Sequence, residues 1–270
     1  MPRMPAVFIG HGSPANAIDA NETTRTWEAI AAAIPRPRAI LAISAHWETR
    51  GGTAVTAMPR PRTIHDFGRS LPAPLFDVEY PAPGDPALAR RVAALLAPTP
   101  VHLDESEWGL DHGTWSVLVK AYPAADIPVV QLSLDVDLRP AERLEIGRRL
   151  SPLRDEGVLI MGSGNIVHNL GAMNWSARDC APFDWSARFL DEIRAGILND
   201  EPERVAAFAR LGGDARLAAP TPEHFWPLLY VLGAREPGDQ VRLVNDRIEH
   251  GSLGMTSLVL EAAAPARAAA

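Results

Sequence analysis

Apolar runs alternate with amphipathic stretches along the whole chain. Continuous apolar runs predict buried strands at 6–9, 39–44, 53–58, 127–132 and 158–161. They are apolar at every position instead of at every second one, as strands covered on both faces require. Weaker runs predict strands at 101–103, 241–244 and 256–260. Spacing of i, i+3 and i+4 predicts helices at 24–34, 86–96, 114–121, 139–150, 183–198, 203–209 and 222–232. In the second of these, Leu88, Val92, Leu95 and Leu96 share one face. Pro35 stops the first. Residues 59–84 are rich in Pro and Gly and predict an irregular excursion across the surface.

Strands that alternate with helices imply parallel pairing with right-handed crossovers. The expected fold class is therefore α/β, a single domain with a central, mostly parallel mixed sheet flanked by helices. No repeat or linker divides the chain. One catalytic domain is expected over 1–262, followed by a frayed Ala-rich tail over 263–270.

Composition narrows the function classes. The net charge of −7, with no block of basic residues, argues against nucleic acid or an anionic membrane surface as a partner. A single cysteine, Cys180, excludes an internal disulfide and a multi-cysteine zinc cluster. No secretory signal and no membrane-length apolar run is visible, so the expected location is cytoplasmic. Oligomeric state is not legible from the sequence.

The histidines carry most of the chemical signal. His11 follows Val7-Phe8-Ile9-Gly10, and His46 follows the strand over 39–44 through Ala45. His168 comes shortly after the strand at 158–161 and the small residues Gly162-Ser163-Gly164. His224 follows Thr221-Pro222-Glu223, where Thr221 reads as an N-cap and Pro222 as the first helical residue. That puts His224 in a helix's first turn. Open α/β sheets bind ligands outside the carboxyl ends of their parallel strands. Taken alone, each of these residues reads equally well as a turn histidine bonded to a carbonyl. Four at one sheet edge point to a divalent transition metal, because imidazole suits zinc, iron, copper and nickel.

Two further histidines have supporting context. His112 lies in Gly109-Leu110-Asp111-His112-Gly113, where Asp111 could fix its tautomer or cap the helix that follows. His65, in Thr63-Ile64-His65-Asp66-Phe67, is read as a substrate contact or a structural residue. Trp47 could wall a pocket. Glu48 is read as solvated, and His102 and His250 as ordinary histidines. The chain lacks a Gly-x-Gly-x-x-Gly fingerprint, a phosphate loop, a Gly-x-Ser-x-Gly elbow and a His-Glu-x-x-His helix.

With these segments in view, the chain resembles the class III extradiol ring-cleavage dioxygenases, in the DOPA 4,5-dioxygenase-like branch. The resemblance rests on Gly10–Pro14, Ser44–Trp47, Thr63–Gly68, Tyr80–Gly84, Leu110–Trp115, Gly164–Leu170 and Pro220–Leu229. It implies that His11, His46 and His224 hold the metal. It implies that His168 stands beside the metal as an acid/base or a fourth ligand, and that His112 is a second active-site histidine. His65 and Trp47 become candidates for substrate binding. The implied cofactor is Fe(II), with Zn(II) as an alternative bound metal, and the implied partners are a small-molecule catechol and O2. Two rival readings stand beside this one: a zinc-dependent hydrolase, and a non-catalytic binding protein on the same fold.

Overall fold

The computed structural model describes residues 3–262. The tail expected over 263–270 lies outside the described residues. In chain order the elements are β1 (Ala6–Gly10), α1 (Glu22–Ala33), β2 (Ala39–Thr49), β3 (Thr53–Thr56), α2 (Pro86–Leu96), β4 (Val101–Asp104), α3 (His112–Ala121), β5 (Val129–Asp135), α4 (Pro140–Leu150), α5 (Pro152–Asp155) and β6 (Val158–Gly164). There follow α6 (Asp184–Leu198), α7 (Pro202–Ala206), α8 (Gly213–Ala218), α9 (Trp226–Gly233), β7 (Gln240–Val244), β8 (Ile248–Glu249), β9 (Leu253–Gly254) and β10 (Ser257–Glu261).

Eight strands form one sheet in the order β4-β3-β5-β2-β6-β1-β10-β7. Its centre is parallel: β5, β2, β6 and β1 run the same way. Strands β10 and β7 add antiparallel pairs at one side. The chain is thus a single α/β domain with a mostly parallel mixed sheet flanked by helices.

The central strands are apolar throughout because each face meets its own helical layer. On β2, Leu41 and Ile43 join the core beneath α2, α4, α6 and α9, while Ile40 and Ala42 join the core beneath α1 and α3. The same alternation divides Ala6 and Phe8 from Val7 and Ile9 on β1. Burying a Leu, Ile or Phe stabilises the fold by roughly 1.5–3 kcal/mol each, so this two-sided pattern sets both strand position and register. A buried ion pair closes the edge opposite the strand tips. Arg154 donates to both carboxylate oxygens of Asp239 and to the carbonyls of Met4 and Ala234, tying α5, β1 and the end of α9 together.

Several element boundaries differ from the sequence reading by a few residues, and three differences are larger. Strand β2 runs on to Thr49, and its register against β5 shifts between Ile43 and Glu48. His46 therefore sits on a bulged continuation of the strand and not in a loop after it. The helix expected over 222–232 begins only at Trp226. Pro227 has no N–H to return to Glu223, and the His224 carbonyl is taken instead by the Asn165 N–H at 2.8 Å. His224 thus stands in the turn before the helix. The stretch over 203–209 divides into α7 and a separate 3-10 turn over Phe208–Leu211. Helix α8 and the β8–β9 hairpin had no signal strong enough to place them.

Candidate active site

Pairing of β1 and β2 with β6 is in register up to the carboxyl end of β6. Gly10 faces Gly164, and Ser44 faces Ser163. His11 and His46 therefore flank the tip of β6 from either side. Gly164 lets a third histidine in. A Cβ at that position would collide with the His224 carbonyl. The absence of one allows the turn before α9 to dock on the strand tip. Gly113 does the same for the start of α3, where a Cβ would collide with Ser44 Oγ. His112 is thereby set against His46, with ring centroids 3.8 Å apart.

The Nε2 atoms of His11 and His46 stand 3.3 Å apart, and a ring nitrogen of His224 completes a group within 4.8 Å. The hydrogen-bond network assigns the tautomers. Ser163 Oγ donates to the Gly113 carbonyl, so it accepts from His11 Nδ1–H at 3.0 Å. His224 Nδ1–H donates to Glu223 Oε1 at 3.0 Å. Both rings then present Nε2 lone pairs. Burial holds His11, His46 and His224 well below the usual imidazole pKa, reinforced by the neighbouring rings. Neutral imidazoles with converging lone pairs repel unless a cation lies between them. Two nitrogens about 2.0–2.1 Å from one tetrahedral ion stand about 3.3–3.4 Å apart. The donor set and its spacing fit a divalent transition metal.

His168 is brought to the same cleft but outside that group. Its ring stacks on His224 at 3.5 Å and 7°, and it clusters with Glu223 and His224. Burial pushes its pKa down to about 4, so the ring is neutral at neutral pH.

His112 has a different partner from the one expected. Asp111 caps α3, accepting from Thr114 N–H at 3.2 Å, and bonds to Gln131. The carboxylate at His112 is Asp66. Its Oδ1 accepts the His112 backbone N–H at 2.9 Å, and its Oδ2 lies 2.9 Å from His112 Nδ1 and 3.7 Å from His46 Nδ1. The Oδ2–Nδ1 contact has ion-pair distance but is out of line for a hydrogen bond. Burial pushes the Asp66 pKa up, yet contacts with His112 and His46 more than offset it, and the net shift is downward. Asp66 reaches the site because the excursion pairs with the segment before α3. The Ile64 N–H donates to the Leu110 carbonyl and Trp115 Nε1–H donates to the Ile64 carbonyl.

A cleft of about 500 Å³ opens over His11, His46, His112, His168 and His224. Phe67, Leu170 and Trp175 supply apolar wall, and Arg178, Glu249 and His250 also line it. Trp47 and His65 do not line it. Trp47 points away from the His46 side of β2 and stacks on Trp108 with planes 4° apart. His65 is bonded through Nε2 to the Val78 carbonyl and packs on Phe76 and Trp115. His250, read from the sequence as an ordinary histidine, also lines the cleft and donates through Nδ1 to the Asn174 carbonyl. The sequence reading passed over Phe67 and Asp66, although both lie in the motif quoted around His65. Glu48 is exposed and bonds to no imidazole.

Comparison with known proteins gives the geometry a family. Residues 4–260 match the family model described as the catalytic LigB subunit of aromatic ring-opening dioxygenase. A 4,5-DOPA dioxygenase extradiol of Escherichia coli (strain K12) is 49% identical over 260 residues, covering 95% of this chain and 94% of that protein. A 4,5-DOPA dioxygenase extradiol of Beta vulgaris is 38% identical over 258 residues, covering 93% of this chain and 94% of that protein. The crystal structure of an uncharacterized protein from Escherichia coli K12 superposes with a TM-score of 0.82 at 43% identity, covering 96% of this chain and all of that one. Neither the hydrolase nor the non-catalytic reading accounts for these matches. The chain belongs to the aromatic ring-opening dioxygenase family of the catalytic LigB subunit, and is an extradiol ring-cleaving enzyme.

Proposed function

We propose that this enzyme opens the ring of a DOPA-like catechol with O2, at a divalent metal held by His11, His46 and His224. Fe(II) is the proposed native metal, with Zn(II) able to occupy the same nitrogens. The observation that carries this reading is the pair of Nε2 atoms 3.3 Å apart, each ring neutral and the His11 tautomer set by Ser163. Three nitrogens leave coordination positions free for outside ligands. When bound, Fe(II) supplies the redox and Lewis-acid chemistry that joins catechol and O2.

The chain's own residues do the rest. His168, neutral at neutral pH, accepts a proton from a catechol hydroxyl as the substrate binds. It returns a proton when the ring opens. His112 lines the cleft with Asp66 at its Nδ1; when it carries a second proton, on Nε2, it donates to an oxygen that gains negative charge there. Phe67 stands edge-on to His112 at 5.6 Å and limits water on that side. Stacking against His224 and a backbone bond from His168 N to the Ala218 carbonyl hold the proposed base in place.

The test is direct. Protein loaded anaerobically with Fe(II) is given DOPA, and oxygen is admitted. A yellow ring-opened product with one O2 consumed per product is expected. His11→Ala and His46→Ala should lose both bound metal and turnover. Retention of full turnover by either variant would discard the metal assignment.

A further inference from the structure

The cleft is also lined by a charged pair that the proposed ring-opening chemistry does not use. Arg178 and Glu249 meet there, with Arg178 Nη2 donating to Glu249 Oε1 at 2.9 Å. Glu249 is 5% exposed, and such a buried carboxylate needs donors. Its bonds all fall on one oxygen. Thr23 Oγ1, Arg178 Nη2 and the Nε and Nη2 of Arg247 all donate to Oε1. Among the described residues, Oε2 accepts from no protein group. Arg178 is likewise half used, since its Nη1 and Nε have no partner among the described residues.

The position of this pair is built into the backbone. The His250 N–H donates to the Arg178 carbonyl at 2.7 Å, and the Asn174 N–H donates to the His250 carbonyl at 2.9 Å. These bonds pin the loop carrying Arg178 to the hairpin carrying Glu249. Arg178 and Glu249 line the same cleft as the five imidazoles, and with Asp19 they are the charged groups a substituent on the bound ring would meet.

Resting on the catechol reading above, we propose that Arg178 and Glu249 form a zwitterion-binding subsite that selects catechols bearing an α-amino acid side chain. An α-amino acid carries its ammonium and its carboxylate on one carbon. A touching guanidinium and carboxylate offer the complementary arrangement side by side. The free edge of Arg178 takes the substrate carboxylate, and Glu249 Oε2 takes the ammonium. Asp19, also on the cleft, adds negative potential near the ammonium. These are specificity-determining residues and touch none of the reacting atoms.

The experiment measures binding without turnover. Fe(II)-loaded protein under nitrogen is titrated calorimetrically with DOPA, dopamine, dihydrocaffeate and methylcatechol. Wild type should bind DOPA tightest and methylcatechol weakest. Arg178→Gln should cut the preference for DOPA over dopamine by about 10- to 100-fold, the usual worth of a bond to a charged group. Arg178→Lys, which keeps the charge but not the fork, should recover part of it. Glu249→Gln should cut the preference for DOPA over dihydrocaffeate. Because Glu249 is buried, far-UV circular dichroism accompanies each variant, and Arg178→Gln at the half-buried rim decides if Glu249→Gln misfolds. Equal preferences in wild type and Arg178→Gln would overturn the subsite. DOPA bound selectively but never opened would instead fail the ring-opening reading and leave the subsite standing.

Discussion

At the scale of single residues, the site depends on protons being in fixed places. Ser163 has one hydroxyl proton, and the Gly113 carbonyl takes it. His11 is thereby left with its proton on Nδ1 and its lone pair facing His46. Ser163→Ala frees that choice and should weaken metal affinity by about 10- to 100-fold, the usual cost of losing a group that orients a ligand. Competition with a chelator checks this. His168 and His224 stack closely, yet their proposed duties differ. His168→Gln should lower kcat by about 10²- to 10⁴-fold while bound metal stays stoichiometric. Loss of the metal in that variant would make His168 a ligand and refute its acid/base role.

At the scale of elements, glycines decide which segments can meet. Helix α9 and its preceding turn lie against β6 because Gly162 and Gly164 leave room for the Pro227 and His224 carbonyls. Gly164→Ala must push the His224 turn off the strand tip. The expected cost is about 1–3 kcal/mol of stability, the range for overpacking a filled interior. Urea denaturation measures it, and metal content should fall alongside. The bulge in β2 acts in a similar way. It separates the flat pairing of Ile40–Ile43 from the segment that turns His46 toward the cleft and Trp47 toward Trp108.

At the scale of the whole molecule, a set of buried neutral histidines links stability to pH. His168 is held down to about 4 and His11, His46 and His224 well below the ordinary value, in each case chiefly by burial. The unfolded chain takes up protons at these rings below about pH 6.5, while the folded protein does not. Protonation therefore favours unfolding, and stability present above that pH is lost as pH falls toward about 4. The melting temperature of chelator-treated protein should drop between neutral pH and pH about 5. Fe(II) or Zn(II) added anaerobically at neutral pH should raise it, because the ion binds the folded state alone. A melting temperature that ignores both pH and metal would contradict the converging-imidazole geometry. Among the described residues no helix is long and apolar enough to cross a membrane.

The sequence by itself determined the sheet and much of the site. Unbroken apolar runs demanded strands covered on both faces, and small residues after them marked the edge where ligands gather. That is why His11, His46, His112, His168 and His224 were legible: each lies next to a feature of local pattern, and all five line one cleft. Local pattern has no access to partners distant in sequence. Asp66 meets His112 from 46 residues away, Ser163 meets His11 from 152, and Arg178 meets Glu249 from 71. It also could not place the irregularity in β2, since a bulge depends on the pairing of β2 with β5. Tertiary structure decided these matters because hydrogen bonds and ion pairs depend on distance in space, whereas periodicity records only which face of its own element a residue occupies.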